Sequence, residues 1–343
     1  MPAAGGAARA QEPAGGDAPP VPADEGAMPP DDSPGAGVAL GLYRVAFPDD
    51  LAAVAEYEAA AGRRLAVVHW YALWGGWKAA FDANADGLEA AGARGAVPMI
   101  TWEPWAGEPG DPAWTLRQAV LSGRHDAYVD AWARGLAAFG RPVLVRFAHE
   151  MHDQPGYPWA EGVNGNTAAD YLAAWRYLRR RFAALGARNV RWVWNPNTMG
   201  AGSTEDHERA YARLYPGDDE VDWVGLDVFN TGPELDWGAP RWRPFDEVLA
   251  GPYAAAGRVS RRPLVLPEVG CAEAGGSKAE WIRHALAPET LGRFPRVRAL
   301  VWFDAAKEQP WHLRSSAAAY EAWLAALREG NVASALDEPG PTR

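Results

Sequence analysis

The sequence has a single cysteine, Cys271, so no intramolecular disulfide can form and the redox compartment stays open. It has no excess of basic residues: 33 Lys and Arg stand against 44 Asp and Glu, for a net charge of −11. Without a basic stripe there is no footprint for nucleic acid. It has no run of about 18 apolar residues, so no membrane-spanning helix is expected. It has no aromatic residue before Tyr43. The first 36 residues hold instead eight prolines, six glycines and ten alanines, with six acids against Arg9 alone. Such a stretch cannot bury enough apolar surface to offset the entropy of ordering it. Residues 1–36 therefore read as a disordered tail or linker, 37–330 as one folded domain and 331–343 as a C-terminal tail. Ala8-Arg9-Ala10 before Gln11 has the shape of a signal-peptidase site, but the apolar segment that should precede it is missing.

Other absences concern chemistry. No Gly-x-Gly-x-x-Gly opens a helix after a strand, which argues against dinucleotide binding. The seven histidines are scattered and no His-Glu-x-x-His occurs, which argues against a metal site. No Gly-x-Ser-x-Gly occurs, and Cys271 reads as a core filler rather than a nucleophile. No repeat of about 20–50 residues recurs, so a solenoid is not expected.

What the sequence has is alternation. From residue 37 onward, short β-branched or aromatic runs are each followed by an alanine- and leucine-rich helical stretch. The apolar runs are 38–45, 65–73, 97–102, 143–150, 190–195, 221–229, 264–269 and 297–303. Helices are expected at 49–61, up to 91, at 125–139, 167–185, 206–214, 278–286 and 316–327, with a less regular stretch containing 245–249. Thr167 with Asp170 forms an acidic variant of the capping box. Eight such units fit a (β/α)8 TIM barrel with a single domain, rather than a doubly wound open sheet.

In such barrels chemistry gathers where strands end. The polar and aromatic clusters fall there: His69, Trp70 and Tyr71 with Trp74; Trp102-Glu103-Pro104-Trp105; His149-Glu150; Trp194-Asn195; Asp227; Glu268; and Trp302-Phe303-Asp304. A glutamate closing an apolar strand is costly unless it is satisfied or used. Glu150 and Glu268 close the fourth and seventh runs, on opposite sides of a barrel mouth. Two such carboxyls suit hydrolysis of a glycosidic bond, in which one protonates the leaving oxygen; in retaining enzymes the other attacks from about 5–5.5 Å away. The competing reading of Glu150 is a salt bridge to Arg146 within the same strand. Glu103 and Asp227 read as residues supporting the site or touching substrate.

At these residues the sequence resembles glycoside hydrolase family 26. Arg146-Phe147-Ala148-His149-Glu150-Met151 with Tyr157-Pro158-Trp159 is similar to its strand-four signature. Leu266-Pro267-Glu268-Val269-Gly270, Trp192 to Asn197, Val221 to Asp227 and Trp302-Phe303-Asp304 resemble its other strand ends, in consistent order over about 38–327. The resemblance implies a retaining hydrolase of β-mannan or β-glucan type, with Glu150 as acid/base and Glu268 as nucleophile. It further implies that His149 touches the sugar at the cleavage point and that Trp302 forms a stacking floor. One departure stands out. Where family members carry a tyrosine whose hydroxyl holds the nucleophile, this chain has Phe229, so Tyr71, Tyr157 or Asn230 must substitute, or turnover is slow. The alternative reading is a catalytically weak carbohydrate-binding barrel associated with exopolysaccharide.

The 18 tryptophans extend this reading. Flat indoles match the apolar faces of pyranose rings, so Trp74, Trp102, Trp159 and Trp194 are expected in a substrate cleft, with Trp70, Trp77, Trp105 and Trp237 nearby. His69, Glu103, Asn195 and Asp227 complete the expected substrate-binding set. The expected partner is a polysaccharide or oligosaccharide, acted on by a monomer without cofactor or metal, in a secreted or cell-surface location.

Overall fold

The computed structural model describes residues 37–105, 114–198, 203–235, 241–329 and 332–337. The chain forms a closed barrel of eight parallel strand positions, with helices between strands and packed outside them. The strands are β1 (Val38–Tyr43), β2 (Val67–Leu73), β3 (Val97–Glu103), β4 (Val143–Phe147), β5 (Val190–Trp194), a sixth position split into β6 (Trp223–Gly225) and β7 (Val228–Asn230), then β8 (Leu264–Cys271) and β9 (Val297–Phe303). Each pairs in parallel with its neighbour, and β9 pairs with β1 from Ala39↔Ala299 to Tyr43↔Phe303, which closes the ring. The helices are α1 (Ala52–Ala61), α2 (Asp82–Ala93), α3 (Asp126–Phe139), α4 (Ala168–Ala184), α5 (Thr204–Leu214), α6 (Phe245–Val259), α7 (Lys278–Ala285), the single turn α8 (Pro288–Leu291) and α9 (Ala317–Arg328).

Side chains alternate across a strand, and this divides the core in two. Ala39, Val67, Met99, Leu144, Val193, Trp223, Val265, Ala299 and Val301 fill the barrel interior. Their neighbours in sequence, such as Leu40, Val68, Ile100, Val145, Trp194, Val224, Leu266 and Leu300, face the helices. The Thr167–Asp170 capping box forms and opens α4.

Four local expectations change. The fourth strand ends at Phe147, because Ala148 and Glu150 adopt left-handed φ of 45° and 49° and the chain leaves the ladder. The sixth strand breaks at Leu226-Asp227, and both halves pair with β8. The stretch around 245–249 is a full helix despite the internal Pro252, since Phe245, Val248, Leu249, Tyr253 and Ala256 repeat at helical spacing and bury one face. The described part of the expected C-terminal tail is packed: β10 (Val332–Ala333) pairs with the start of β1, and Leu336 joins the interior cluster at that end.

Candidate active site

The interior positions become polar toward the strand ends. Above the apolar layer sit His69 and Tyr71 of β2, Thr101 and Glu103 of β3, Arg146 of β4, Asn195 after β5, Asp227 between β6 and β7, and Glu268 of β8. Arg146 organises them. It is completely buried, and its guanidinium meets acceptors from five elements. Nε donates to Thr101 Oγ1 at 2.8 Å, one terminal nitrogen to Asn195 Oδ1 at 3.2 Å and Asp227 Oδ1 at 3.0 Å, and the other to Tyr71 Oη at 3.3 Å and to Glu268 Oε1. Five contacts match the five donors a guanidinium offers. Asn195 links the set by donating to Asp227 Oδ2 at 2.9 Å. The space for that amide comes from Gly225, where a Cβ would collide with Asn195.

Glu268 accepts from two donors at the same oxygen: Arg146 and the hydroxyl of Tyr71. Oε2 has no donor among the described residues. The pairing of β8 with β9 shifts register between Leu266 and Val269, on either side of Glu268, a device that re-aims a side chain. Tyr71 therefore supplies the hydroxyl that Phe229 lacks. Phe229 packs instead among Phe303 and Trp311 at the mouth.

Glu150 stands beyond β4 on strained backbone. Non-glycine residues are uncommon at positive φ, and here two of three successive residues adopt it. The Glu150 amide donates to Asn195 O at 2.7 Å, and Gln154 Nε2 donates to its Oε2 at 3.0 Å. Arg146 pairs with Glu268 and Asp227 rather than with Glu150, so the salt-bridge reading of Glu150 fails. Burial first, then the charge of Glu268, push the Glu150 carboxyl up to about 7 against the opposing pull of Arg146 and Lys307. Burial likewise holds Asp227 well above the usual carboxylate range although Arg146 touches it. One guanidinium cannot neutralise three clustered carboxyls, so protons make up the difference. Burial lowers His149 and keeps it neutral, and raises Tyr71, which keeps its hydroxyl proton for donation.

The expected substrate residues divide. Glu103, His149, Glu150, Asp227, Glu268, Asn195 and His69 gather around Arg146. Of these, His69 is fully enclosed, 2.7 Å from Thr101 Oγ1, and Asn195 is equally buried, so both support the site from beneath. Trp159 lies one layer back: its indole donates to His149 O at 2.8 Å and stacks on Tyr157, which takes the place nearer the carboxyls. Trp74, Trp102, Trp194 and Trp302 point away from the mouth. Trp102 packs on Trp132 and Phe182, with Trp74 beside it; Trp194 packs on Tyr211 and Tyr215; Trp302 packs on Trp281 and Trp323. All four are in the strand–helix layer, so the floor expected of Trp302 is not there; Phe303, the next residue, faces the mouth with Tyr43. Trp77 is half exposed, and Trp237 lies outside the described residues. Sequence reasoning missed Tyr43 and Gln154. Strand parity points to Tyr43; nothing in the sequence marks Gln154.

Comparison with known proteins bears on this arrangement. Residues 116–240 match the model of glycosyl hydrolase family 26. Endoglucanase H of Acetivibrio thermocellus is 33% identical over 297 residues, covering 86% of this chain and 31% of that protein. Beta-1,3-xylanase TXYA of a Vibrio species is 35% identical over 118 residues, 33% of this chain and 22% of that one. The chain thus spans less than a third of the length of these curated relatives. Among solved structures, a modular endo-beta-1,4-mannanase from Cellulomonas fimi superposes with a TM-score of 0.65 at 19% identity, over 90% of this chain and 75% of that one. A GH26 beta-mannanase from Bacteroides ovatus gives 0.61 at 17% identity, over 87% and 90%. At such identities these two structures establish a shared fold.

Proposed function

The chain belongs to glycosyl hydrolase family 26, and from that premise we propose that it cleaves internal β-linkages of a polysaccharide with retention, using Glu268 as nucleophile and Glu150 as acid/base. The observation that carries this is the division of labour between the two carboxyls. Glu268 is held by two donors at one oxygen, and its other oxygen has no donor among the described residues. Glu150 is pushed up to about 7, where it holds a proton to give. Glu268 attacks the anomeric carbon while Glu150 protonates the departing oxygen, forming a glycosyl ester. Ester formation removes the charge of Glu268, the second cause of the raised Glu150 value. The Glu150 carboxylate then becomes the favoured form, which suits its second task of taking a proton from the attacking water.

Of the two substrate types, a β-glucan is favoured, because a relative that matches across most of the chain is named an endoglucanase. The mannanases are similar at the level of fold. The weak-binding alternative drew on Phe229, and the Tyr71 hydroxyl answers that point. No described helix is long and apolar enough to cross a membrane; a polymer substrate suggests action outside the cell, by a monomeric barrel, and the tail or linker expected at residues 1–36 lies outside the described residues.

The test is reducing-sugar release from mixed-linkage β-glucan, β-mannan and β-1,3-xylan by the natural protein beside Glu150→Gln and Glu268→Gln. Release from the glucan, lost in both variants, with the β-anomer formed first by NMR, is the expected result. An α-anomer formed first would overturn retention. Full activity in either variant would overturn the assignment of that residue.

A further inference from the structure

Lysine is rarely fully buried unless an acid pairs with it, because its charge is costly to take out of water. Lys278 is 1% exposed. It also opens α7, where the positive end of the helix dipole disfavours a cation. Its ammonium nonetheless has a full set of partners. Nζ donates to Pro310 O at 2.8 Å, Trp311 O at 3.0 Å, His312 O at 2.9 Å and Ser315 Oγ at 2.8 Å. All four are neutral oxygens, and all lie on one loop, the segment that follows β9. The Ser315 hydroxyl gives its own proton to Glu273, which leaves its lone pairs for the lysine.

Three successive carbonyls thus converge on one nitrogen. Carbonyl oxygens aimed at one point repel each other unless a cation or a donor lies between them. An ammonium supplies three N–H donors and a positive charge, whereas a neutral amine would turn a lone pair toward one of the oxygens. Burial lowers Lys278 to about 8, so the charged form still prevails near neutral pH. The loop held in this way is a lip of the barrel mouth. Ala306 and Pro310 pair across it, Gln309 donates to Glu234 at 3.1 Å, and Asp304 accepts from the Leu313 amide at 2.6 Å. Trp311 on the lip packs on Phe229, with ring centres 5.1 Å apart, in an apolar cluster that Tyr71 joins, and its indole donates to Glu308 at 3.4 Å. Lys307, paired with Glu308 at 2.9 Å, brings in a positive charge. Burial and Glu268 raise Glu150, and Arg146 and Lys307 oppose them.

We propose that Lys278 is a positioning residue: its ammonium takes the place of a bound cation and clamps the loop after β9, so that Trp311, Lys307 and Glu308 wall the mouth. The effect on turnover rests on the glycosidase reading of the site; the clamp itself does not. Lys278 touches no reacting group, so its loss acts through the lip. A displaced lip weakens substrate and transition state alike, which raises KM more than it lowers kcat. It also carries Lys307 away from Glu150, leaving Glu268 and Asp227 less opposed while Arg146 stays in place.

Lys278→Ala removes the atoms of propylammonium, which makes a chemical rescue possible. On the polymer that the natural protein hydrolyses, this variant is expected to raise KM roughly tenfold and keep kcat within about threefold. The alkaline limb of kcat/KM should move to higher pH, because Glu150 has lost an opposing charge. Propylammonium is expected to bring KM back to within about threefold of the natural value, and tetramethylammonium, which has no N–H, should not at equal ionic strength. Lys278→Met keeps the packing volume beside the Trp302 ring. If Lys278→Ala does not fold, Lys278→Met carries the same kinetic readouts. In Lys278→Met, amide hydrogen exchange across residues 305–313 should quicken while β8 and α3 exchange as in the natural protein. Unchanged exchange at 305–313 would overturn the proposal, as would equal recovery with both ions, which marks a bulk salt effect. So would a lower melting temperature with natural KM and an unmoved alkaline limb, which marks a residue that supports the fold alone. If the natural protein releases no sugar from any of the three polymers, the glycosidase reading falls; faster exchange at 305–313 in Lys278→Met would still uphold the clamp.

Discussion

At the scale of single residues, the hydroxyl of Tyr71 shows how a site can move a function between strands. Phe229 on β7 has no donor to offer, and the donor to Glu268 comes from β2 across the mouth. Tyr71 is fixed from several sides: Arg146 lies 5.8 Å from its ring centre, and Tyr43 and His69 pack on it at 5.1 and 5.2 Å. A hydrogen bond to a charged group contributes about 1.5–3 kcal/mol. If that bond orients the nucleophile, Tyr71→Phe lowers kcat by roughly 10–100-fold while KM changes little. Steady-state kinetics on the polymer that the protein hydrolyses checks this. A kcat within about twofold of the natural protein would show that Arg146 alone positions Glu268.

At the scale of elements, period two explains both what the sequence revealed and what it hid. The alternation of runs is enough to place eight strand positions, and Glu150 and Glu268 stand at strand ends that any barrel would present. The tryptophans needed one more step. Position along a strand says how near a residue lies to the mouth, but parity says which side of the wall it faces. Tyr71 and Glu103 share a face with His69 and Thr101, which are inside. Trp70, Trp102 and Trp302 have the other parity and are outside, where α-helices cover them. The strained turn at 148–150 and the bulge at Glu268 were hidden for a different reason: both depend on contacts between strands far apart in sequence, such as the Glu150 amide with Asn195 O. The consequence is measurable. Trp302 donates its indole proton to Trp311 O at 2.9 Å and fills the space between α7 and α9. Trp302→Phe should cost roughly 2–4 kcal/mol of stability by denaturant unfolding and leave KM unchanged. A rise in KM at unchanged stability would return Trp302 to the cleft.

For the whole molecule, the buried carboxyls link function to stability through pH. An acid whose folded value is raised binds its proton more tightly in the native state, so stability falls as pH rises from its ordinary value toward the folded one. Glu150 and Glu103, raised from 4.5 to about 7 and about 8, act in this sense, and Asp227 adds to it in direction. The buried histidines act oppositely. His69, His149 and His152 are lowered from 6.5, so they add stability as pH rises to that value and nothing further above it. Lys278, lowered from 10.5 to about 8, begins to add stability only near the upper end. The window between pH 6.5 and 8 is therefore governed by the mouth carboxyls. The melting temperature is expected to fall across it in the natural protein, and the double variant Glu103→Gln, Glu150→Gln should melt at a nearly constant temperature there. A natural protein whose melting temperature holds steady or rises between pH 6.5 and 8, by calorimetry at fixed ionic strength, would mean that the carboxyls around Arg146 share their charge without cost. In that case the proton that Glu150 delivers would have to come from a group already ionised in the resting site, and the division of labour between Glu150 and Glu268 would lose its physical basis.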